Sequence, residues 1–211
     1  MITKYKTMPS TAKNTEQELA TRQVILEAAY EEIHTRGFQG TSLSKILSST
    51  SVTKGALYHY FPTKLALGYA VIDEILAVRI HQLWVLPLLE SDDPITNFKK
   101  IIMEIGSEIT EEDIQYGCPL NNLAQEMAPI DEGFRFRLEE VYRTWREGIE
   151  SAFEKGQEKG FVKKELNVIS VATMLVASIE GCMGLAKNAQ SKKVLLQCGQ
   201  SIIEYLESLR A

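Results

Sequence analysis

The chain has 211 residues, 45% of them hydrophobic and 24% charged, with a formal net charge of −5. That length buries a substantial core in one or two domains, and the composition excludes both extensive disorder and a uniformly basic nucleic-acid coat. Three cysteines, Cys118, Cys182 and Cys198, form no CxxC pair or regular framework, which excludes a disulfide-stapled secreted fold and points to a reducing, cytoplasmic location.

Charge is unevenly spread. Residues 1–70 hold eight Lys or Arg against five Glu, a net +3, which leaves −8 for the remainder. A basic front on an acidic body suits a protein that offers one face to phosphate, although ordinary solvated faces give the same asymmetry. No apolar segment follows the basic residues of the start, as a secretory leader would require. No window holds eighteen apolar residues, and the nearest approach, 171–186, is interrupted by Glu180. It reads as a buried helix, and no membrane partner is expected.

In chain order, residues 1–14 are polar and aperiodic, the composition of a flexible arm, with Lys4, Lys6 and Lys13 either following an adjacent groove or simply solvated. Thr15 and Glu18 have the spacing of a capping box and open a helix. Its apolar stripe runs through Leu19, Ile25, Leu26, Ala29 and Ile33, and Gly37 is placed to stop it. Phe38 plugs the small core of a three-helix unit. Thr41 or Ser42 caps a second short helix carrying Leu43, Ile46 and Leu47.

Residues 41–64 then read as two short helices about a tight turn, an aromatic lock and the start of another helix, which is the pattern of a DNA-entering helix-turn-helix. The second short helix opens at Thr53, whose hydroxyl can cap its first amides. It presents Lys54, Gly55, Ala56, Tyr58 and His59 within two turns, small residues allowing the backbone to approach a groove. Leu57 and Tyr60, three apart, hold the opposite side against neighbouring helices.

After Phe61-Pro62-Thr63, with Thr63 as a cap, a long helix is expected over 64–86, apolar on more than one face and ended by Pro87 and Ser91-Asp92-Asp93-Pro94. The rest continues as helices without a convincing strand. One carries Ile95, Phe98, Ile101, Ile102, Ile105 and Ile109; the next starts at Cys118-Pro119 and stops at Pro129. A long helix over 132–159 is closed by Gly160. The last two are capped by Asn167 and Ser191.

The strings Arg22-x-x-Ile25-Leu26-x-Ala28-Ala29, Gly37-Phe38-x-x-Thr41-Ser42-Leu43-x-x-Ile46 and Val52-Thr53-Lys54-Gly55-Ala56-Leu57-Tyr58-His59-Tyr60-Phe61-x-x-Lys64 resemble the tetracycline-repressor (TetR) family of bacterial regulators. The likeness covers residues 21–65. It implies an all-α homodimer with a three-helix N-terminal helix-turn-helix unit, residues 1–64, joined to a larger C-terminal helical domain, residues 65–211, that binds ligand and dimerises. It also implies a transcriptional repressor whose partners are a palindromic double-stranded DNA operator and a small-molecule inducer.

By the same resemblance, Thr41, Ser42 and Lys64 meet phosphates at helix starts, Tyr58 and His59 meet the DNA backbone, and Thr53, Lys54, Gly55 and Ala56 lead the recognition helix into the major groove. Lys54 reaches either a guanine edge or a phosphate. Tyr58 and Tyr60 have packing as the alternative role. One departure is the turn: the family often has Ala-Gly where this chain has Thr50-Ser51, and a positive φ at Ser51 would cost roughly 1 kcal/mol relative to Gly.

In the C-terminal half the most distinctive string is Tyr116-Gly117-Cys118-Pro119-Leu120-Asn121-Asn122-Leu123. Cys118 stands at a helix start, where the dipole favours a thiolate; it reads either as a sensor of electrophiles or oxidants or as a small hydrophobe beside a pocket. A pocket among these helices would draw on Met103, Ile105, Cys118, Asn121, Asn122, Met127, Phe134, Tyr142, Trp145, Met174 and Met183. Adaptable Met and a few amides suit an inducer that is mostly apolar or electrophilic. Ala177, Gly181 and Gly184 form a small-residue stripe that permits close helix contact across a dimer, setting recognition helices about 34 Å apart.

An enzyme is not expected: His34, His59 and His81 are scattered, and no HExxH, paired-carboxylate or phosphate-loop motif is present. No metal or cofactor is expected either. The alternative to a regulator is a ligand-binding or protein-interaction module that has lost specific DNA recognition.

Overall fold

The computed structural model describes residues 11–211, with side chains described from residue 18 onward. Lys4 and Lys6 lie outside the described residues, as does most of the expected arm. Among the described residues all regular structure is helical, and the one β contact is an isolated antiparallel bridge between Val162 and Arg210. The chain divides into two compact units, one ending at Val71 and the other running from Ile72 to Ala211.

The first unit holds α1 (Thr11–Gly40), α2 (Leu43–Ser48), α3 (Lys54–Tyr60) and α4 (Lys64–Val71). Because α1 is already helical at Thr11, Thr15 falls inside it and does not open it. The stretch Thr11-Ala12-Lys13-Asn14 contains no helix breaker to delay the start. Gly37 does end the regular run: its φ of 74° and ψ of 164° leave the helical region and kink the chain ahead of Phe38, a conformation cheap only for glycine. The core combines Ile25, Leu26, Ala29 and Ile33 of α1 with Phe38, Ile46, Leu57, Phe61 and Leu67, all buried.

From α4 the backbone stays helical through a π-helical turn at Ile72–Leu76, α5 (Ala77–Ile80), a second π-helical turn at His81–Val85 and a 3-10 turn at Leu86–Leu89. The α- and π-helical run ends at Val85, close to the expected end near Leu86, and a 3-10 turn carries the chain past Pro87. Proline occupies the first turn of the 3-10 segment, where its missing N–H is not required. The 3-10 turn ends at Leu89, and after the expected break over 91–94 Asp93, whose carboxylate accepts from the Thr96 amide (3.1 Å), starts α6 (Pro94–Glu108).

The second unit continues with α7 (Glu111–Tyr116), α8 (Pro119–Met127), α9 (Glu132–Lys159), α10 (Val168–Ala189) and α11 (Lys192–Ser208). The sequence reading did not anticipate α7, a six-residue helix begun by a reciprocal capping box between Thr110 and Asp113. Asp131, Asn167 and Ser191 cap α9, α10 and α11, and Gly160 closes α9 in the left-handed region at φ 81°. Gly156 permits a close approach, since a Cβ there would stand 2.7 Å from Pro94 and 2.8 Å from Val162. The core gathers Trp84, Phe98, Phe134, Trp145, Ile149 and Phe153. By length and composition α10 could cross a bilayer, but Val171, Ala172, Leu175, Val176 and Ile179 are buried within this unit.

Candidate functional site

In the first unit the candidate DNA-contacting residues occupy the starts of α2 and α4 and the length of α3. Thr53 precedes α3 with extended φ/ψ, and its Oγ1 accepts from the Ala56 amide at 3.2 Å, fixing where the helix begins. Lys54, Gly55, Tyr58 and His59 are exposed and Ala56 is half-buried, whereas Leu57 is buried at 1% exposure. The apolar side of α3 is thus spent on the core, and the opposite side is free along its whole length. The Lys54 ammonium lies 5.9 Å from the centroid of the Tyr58 ring, within cation–π range. His59 stands edge-on to Tyr60 at 5.1 Å.

Thr41 and Ser42 differ from each other. Thr41 is buried and its hydroxyl donates to the Gly37 carbonyl at 2.7 Å. Ser42 takes the backbone cap position of α2 while its side chain makes no capping bond. Lys64 begins α4, and its ammonium donates to the Gln39 carbonyl at 3.1 Å and sits 4.9 Å from the Phe38 ring centroid. It thereby ties the end of α1 to the start of α4. Thr63 caps α4 through the Ala66 amide.

The turn between α2 and α3 avoids the strain that a left-handed Ser51 would carry. Gln190 is the one non-glycine described residue with positive φ. Thr50 braces the turn instead, its hydroxyl donating to the Leu47 carbonyl and accepting from the Val52 amide, both at 3.3 Å.

The second unit contains a partly open cavity of about 390 Å³ walled by α6, α10, α11 and Trp84. Its lining is mostly apolar, and no charged side chain of the described residues contributes. Ser107, Cys182 and Gln200 supply polar groups; the Ser107 hydroxyl already donates to Glu104 O (2.7 Å) and the Gln200 amide to Glu204 (3.0 Å). Trp84 forms part of the wall, its ring centroid 5.1 Å from that of Trp145 and 5.8 Å from that of Phe98. Such a space suits an uncharged, largely apolar molecule.

Of the eleven residues named from sequence for a pocket, Met103, Ile105 and Met183 line this cavity. Met127, Phe134 and Trp145 are core, and Met174 is exposed on α10. The others gather on a different side of α10. The Cys118 thiol donates to Glu180 Oε1 at 3.4 Å, the Tyr142 hydroxyl donates to the same oxygen at 3.3 Å, and Lys187 donates to Asn122 Oδ1 at 2.9 Å. Asn122 in turn donates to the Tyr116 carbonyl at 2.7 Å, while Asn121 remains half-buried.

The thiolate expected at Cys118 is overturned by this arrangement. Burial, the facing Glu180 carboxylate and the hydrogen bond the thiol donates all push its pKa up, outweighing the amides of the α8 start. Cys182 and Cys198, on α10 and α11, share a hydrogen bond, and burial first, then that bond, pushes the Cys182 thiol up to about 12. All three cysteines are free thiols.

Trp84, Cys182, Gly199 and Gln200 also wall the cavity, and none of them was among the residues the sequence pointed to for a pocket. The available signal was on α11, where Val194, Leu195 and Cys198 keep helical spacing yet remain half-exposed. Ala177, Gly181 and Gly184 are exposed on α10, and open space surrounds the Cβ position of both glycines.

Comparison with known proteins covers both units. Residues 25–71 match the model for bacterial regulatory proteins of the tetR family, and residues 94–201 match the model for the C-terminal domain of LmrA/YxaF-like transcriptional regulators. An uncharacterised HTH-type transcriptional regulator from Lactococcus lactis subsp. lactis is 33% identical over 83% of this chain and 87% of its own. The HTH-type transcriptional repressor DhaR of Mycobacterium sp. (strain GP1) is 25% identical over 88% and 91%. Among solved structures, E. coli NemR in its reduced form aligns with a TM-score of 0.79 at 23% identity, covering 91% of this chain and 97% of that one.

Proposed function

Because this chain belongs to the TetR family of bacterial transcriptional regulators, we propose that it represses by binding a palindromic operator as a homodimer and lets go when a small, mostly apolar inducer occupies the second unit. The observation that carries this reading is the division of α3, with Leu57 buried and Lys54, Gly55, Tyr58 and His59 on the solvent side. Lys54 is the base- or phosphate-reading group, the half-buried Ser42 at the α2 cap position and Lys64 steady the backbone, and Tyr58 supports Lys54 from beneath.

The cavity beside Trp84 is the inducer site, and its lack of charged lining selects uncharged ligands. Ala177, Gly181 and Gly184 form the dimer face, where one methyl group and two glycines with open space at their Cβ positions let two copies of α10 approach closely. An inducer that binds better to the conformation with the wrong half-site spacing shifts the population from operator by the ratio of its two affinities. A cytoplasmic location accompanies this role.

The test is binding of the purified protein to duplexes recovered by selection from genomic fragments, measured by fluorescence anisotropy at two salt concentrations. Wild type is expected to bind the selected duplex over an unrelated one and to weaken with salt. Lys54→Ala should lose about 1–3 kcal/mol if it reads a base edge, or one unit of salt slope if it meets a phosphate. Equal affinity for all duplexes, unaltered in Lys54→Ala, would move the reading to an interaction module.

A further inference from the structure

Glu180 is assigned no part in operator or inducer binding. It lies in the middle of the apolar helix α10 and is 7% exposed. Its Oε1 accepts from two weakly acidic donors, the Cys118 thiol at 3.4 Å and the Tyr142 hydroxyl at 3.3 Å, and its buried Oε2 has no partner. Two turns further along the same side of α10, Lys187 gives its ammonium to Asn122 rather than to Glu180.

The groups that face this carboxyl come from each neighbouring element. The start of α8 supplies Cys118, α9 supplies Tyr142 with Glu139 acting on the phenol, and α10 itself carries Lys187. The last residue of α7, Tyr116, reaches the cluster through its carbonyl, which holds Asn122. Helix α11 lies on another side, where Cys182 meets Cys198 about 200° round α10 from Glu180. No cation neutralises the carboxylate among the described ion pairs. A buried charge with one unsatisfied oxygen is costly, and proteins escape that cost by taking up a proton.

We propose that Glu180 is a proton switch at the junction of α8, α9 and α10: protonated, it seats the three helices on a neutral hydrogen-bonded cluster, and ionised, it places an uncompensated charge beneath them and loosens the junction. Burial pushes the carboxyl up to about 7, with the bonds from Cys118 and Tyr142 pulling the other way. Burial also raises the Cys118 thiol and the Tyr142 phenol, so both remain donors at neutral pH. The ordinary value of such a carboxyl, and hence its value in the unfolded chain, is 4.5. The stabilisation is therefore complete below pH 4.5 and is lost as pH rises through 7. The switch is a property of the regulatory unit alone and does not rest on operator binding.

The experiment is thermal and chemical unfolding of the full chain, without DNA, between about pH 5 and about pH 8.5 for wild type, Glu180→Gln, Cys118→Ala and Tyr142→Phe. Glutamine keeps the acceptor and the shape of the protonated acid. Over the full span from 4.5 to above 7, the wild-type folding constant is expected to fall by roughly two orders of magnitude relative to Glu180→Gln, most of it within the measured window. Cys118→Ala and Tyr142→Phe each remove a donor to the carboxylate and should move the midpoint above the wild-type value.

The same pH slope in Glu180→Gln as in wild type overturns the proposal, and so does a midpoint that neither donor variant moves. If Glu180→Gln does not fold, carbon-13 NMR of glutamate-labelled wild type decides. One carboxyl titrating near 7 supports the switch, and a set of carboxyls that all titrate in the ordinary range overturns it.

Discussion

The two units carry their candidate sites in opposite ways. In the first, the solvent side of α3 is nearly one uninterrupted string, Thr53 to His59, set by a single cap and a single buried leucine. In the second, the cavity walls come from Trp84, from α6, and from α10 and α11, which begin far later in the chain. A site built on one helix needs only that helix to form. A site built between helices exists only when the whole unit packs, so its geometry is a property of the core rather than of any local string.

Trp145 tests that distinction most severely. It is 1% exposed, supports Trp84 at 5.1 Å and does not line the cavity. Trp145→Ala should cost about 3–5 kcal/mol in denaturant unfolding and release Trp84 from its position, so that ligand quenching of the remaining indole fluorescence disappears. A variant that lost under 1 kcal/mol and still bound ligand would show that the cavity is a local feature after all, and the contrast between the units would collapse.

The same contrast explains which features were legible in the sequence. Helix caps are local chemistry, so Thr53, Asp93, Asn167, Ser191 and Gly160 were found where the structure has them. The start of α1 was not, because a capping-box spacing at Thr15 does not reveal that the preceding residues are already helical. Pro87 marked the end of the α- and π-helical run but not of all helical turns, because proline stops a helix interior yet fits the first turn of a 3-10 segment. Met103 and Met183 were recognisable as adaptable pocket residues, whereas Cys182 and Gln200 acquire their place only when α11 packs beside α10. Cys118 shows the limit of a purely local argument, for its helix start favours a thiolate while Glu180, sixty-two residues away, reverses the balance.

A smaller effect sharpens the other side of the comparison. Thr53→Ala removes the acceptor for the Ala56 amide and nothing else that is buried. It should cost about 1 kcal/mol of stability and weaken DNA binding beyond that, because fraying the first turn of α3 displaces Lys54. Thr53→Ser restores the acceptor and should recover both. Equal binding by all three proteins would mean that the groove, rather than the cap, orders the start of the helix.

The smallest effect is expected at the turn, and its sign is the informative part. If Ser51 were left-handed, Ser51→Gly would relieve strain and stabilise the unit by roughly 1 kcal/mol. The backbone at Ser51 has no positive φ, and Thr50 supplies the hydrogen bonds that shape the turn. Glycine therefore relieves nothing in the folded state and adds conformational freedom to the unfolded chain, so Ser51→Gly should destabilise by about 0.4–1 kcal/mol. Urea unfolding monitored by circular dichroism resolves that sign. A stabilised variant would mean that the turn is built as the family string suggests; a destabilised one would mean that Thr50-Ser51 reaches the same helix-turn-helix through a side-chain brace in place of a glycine.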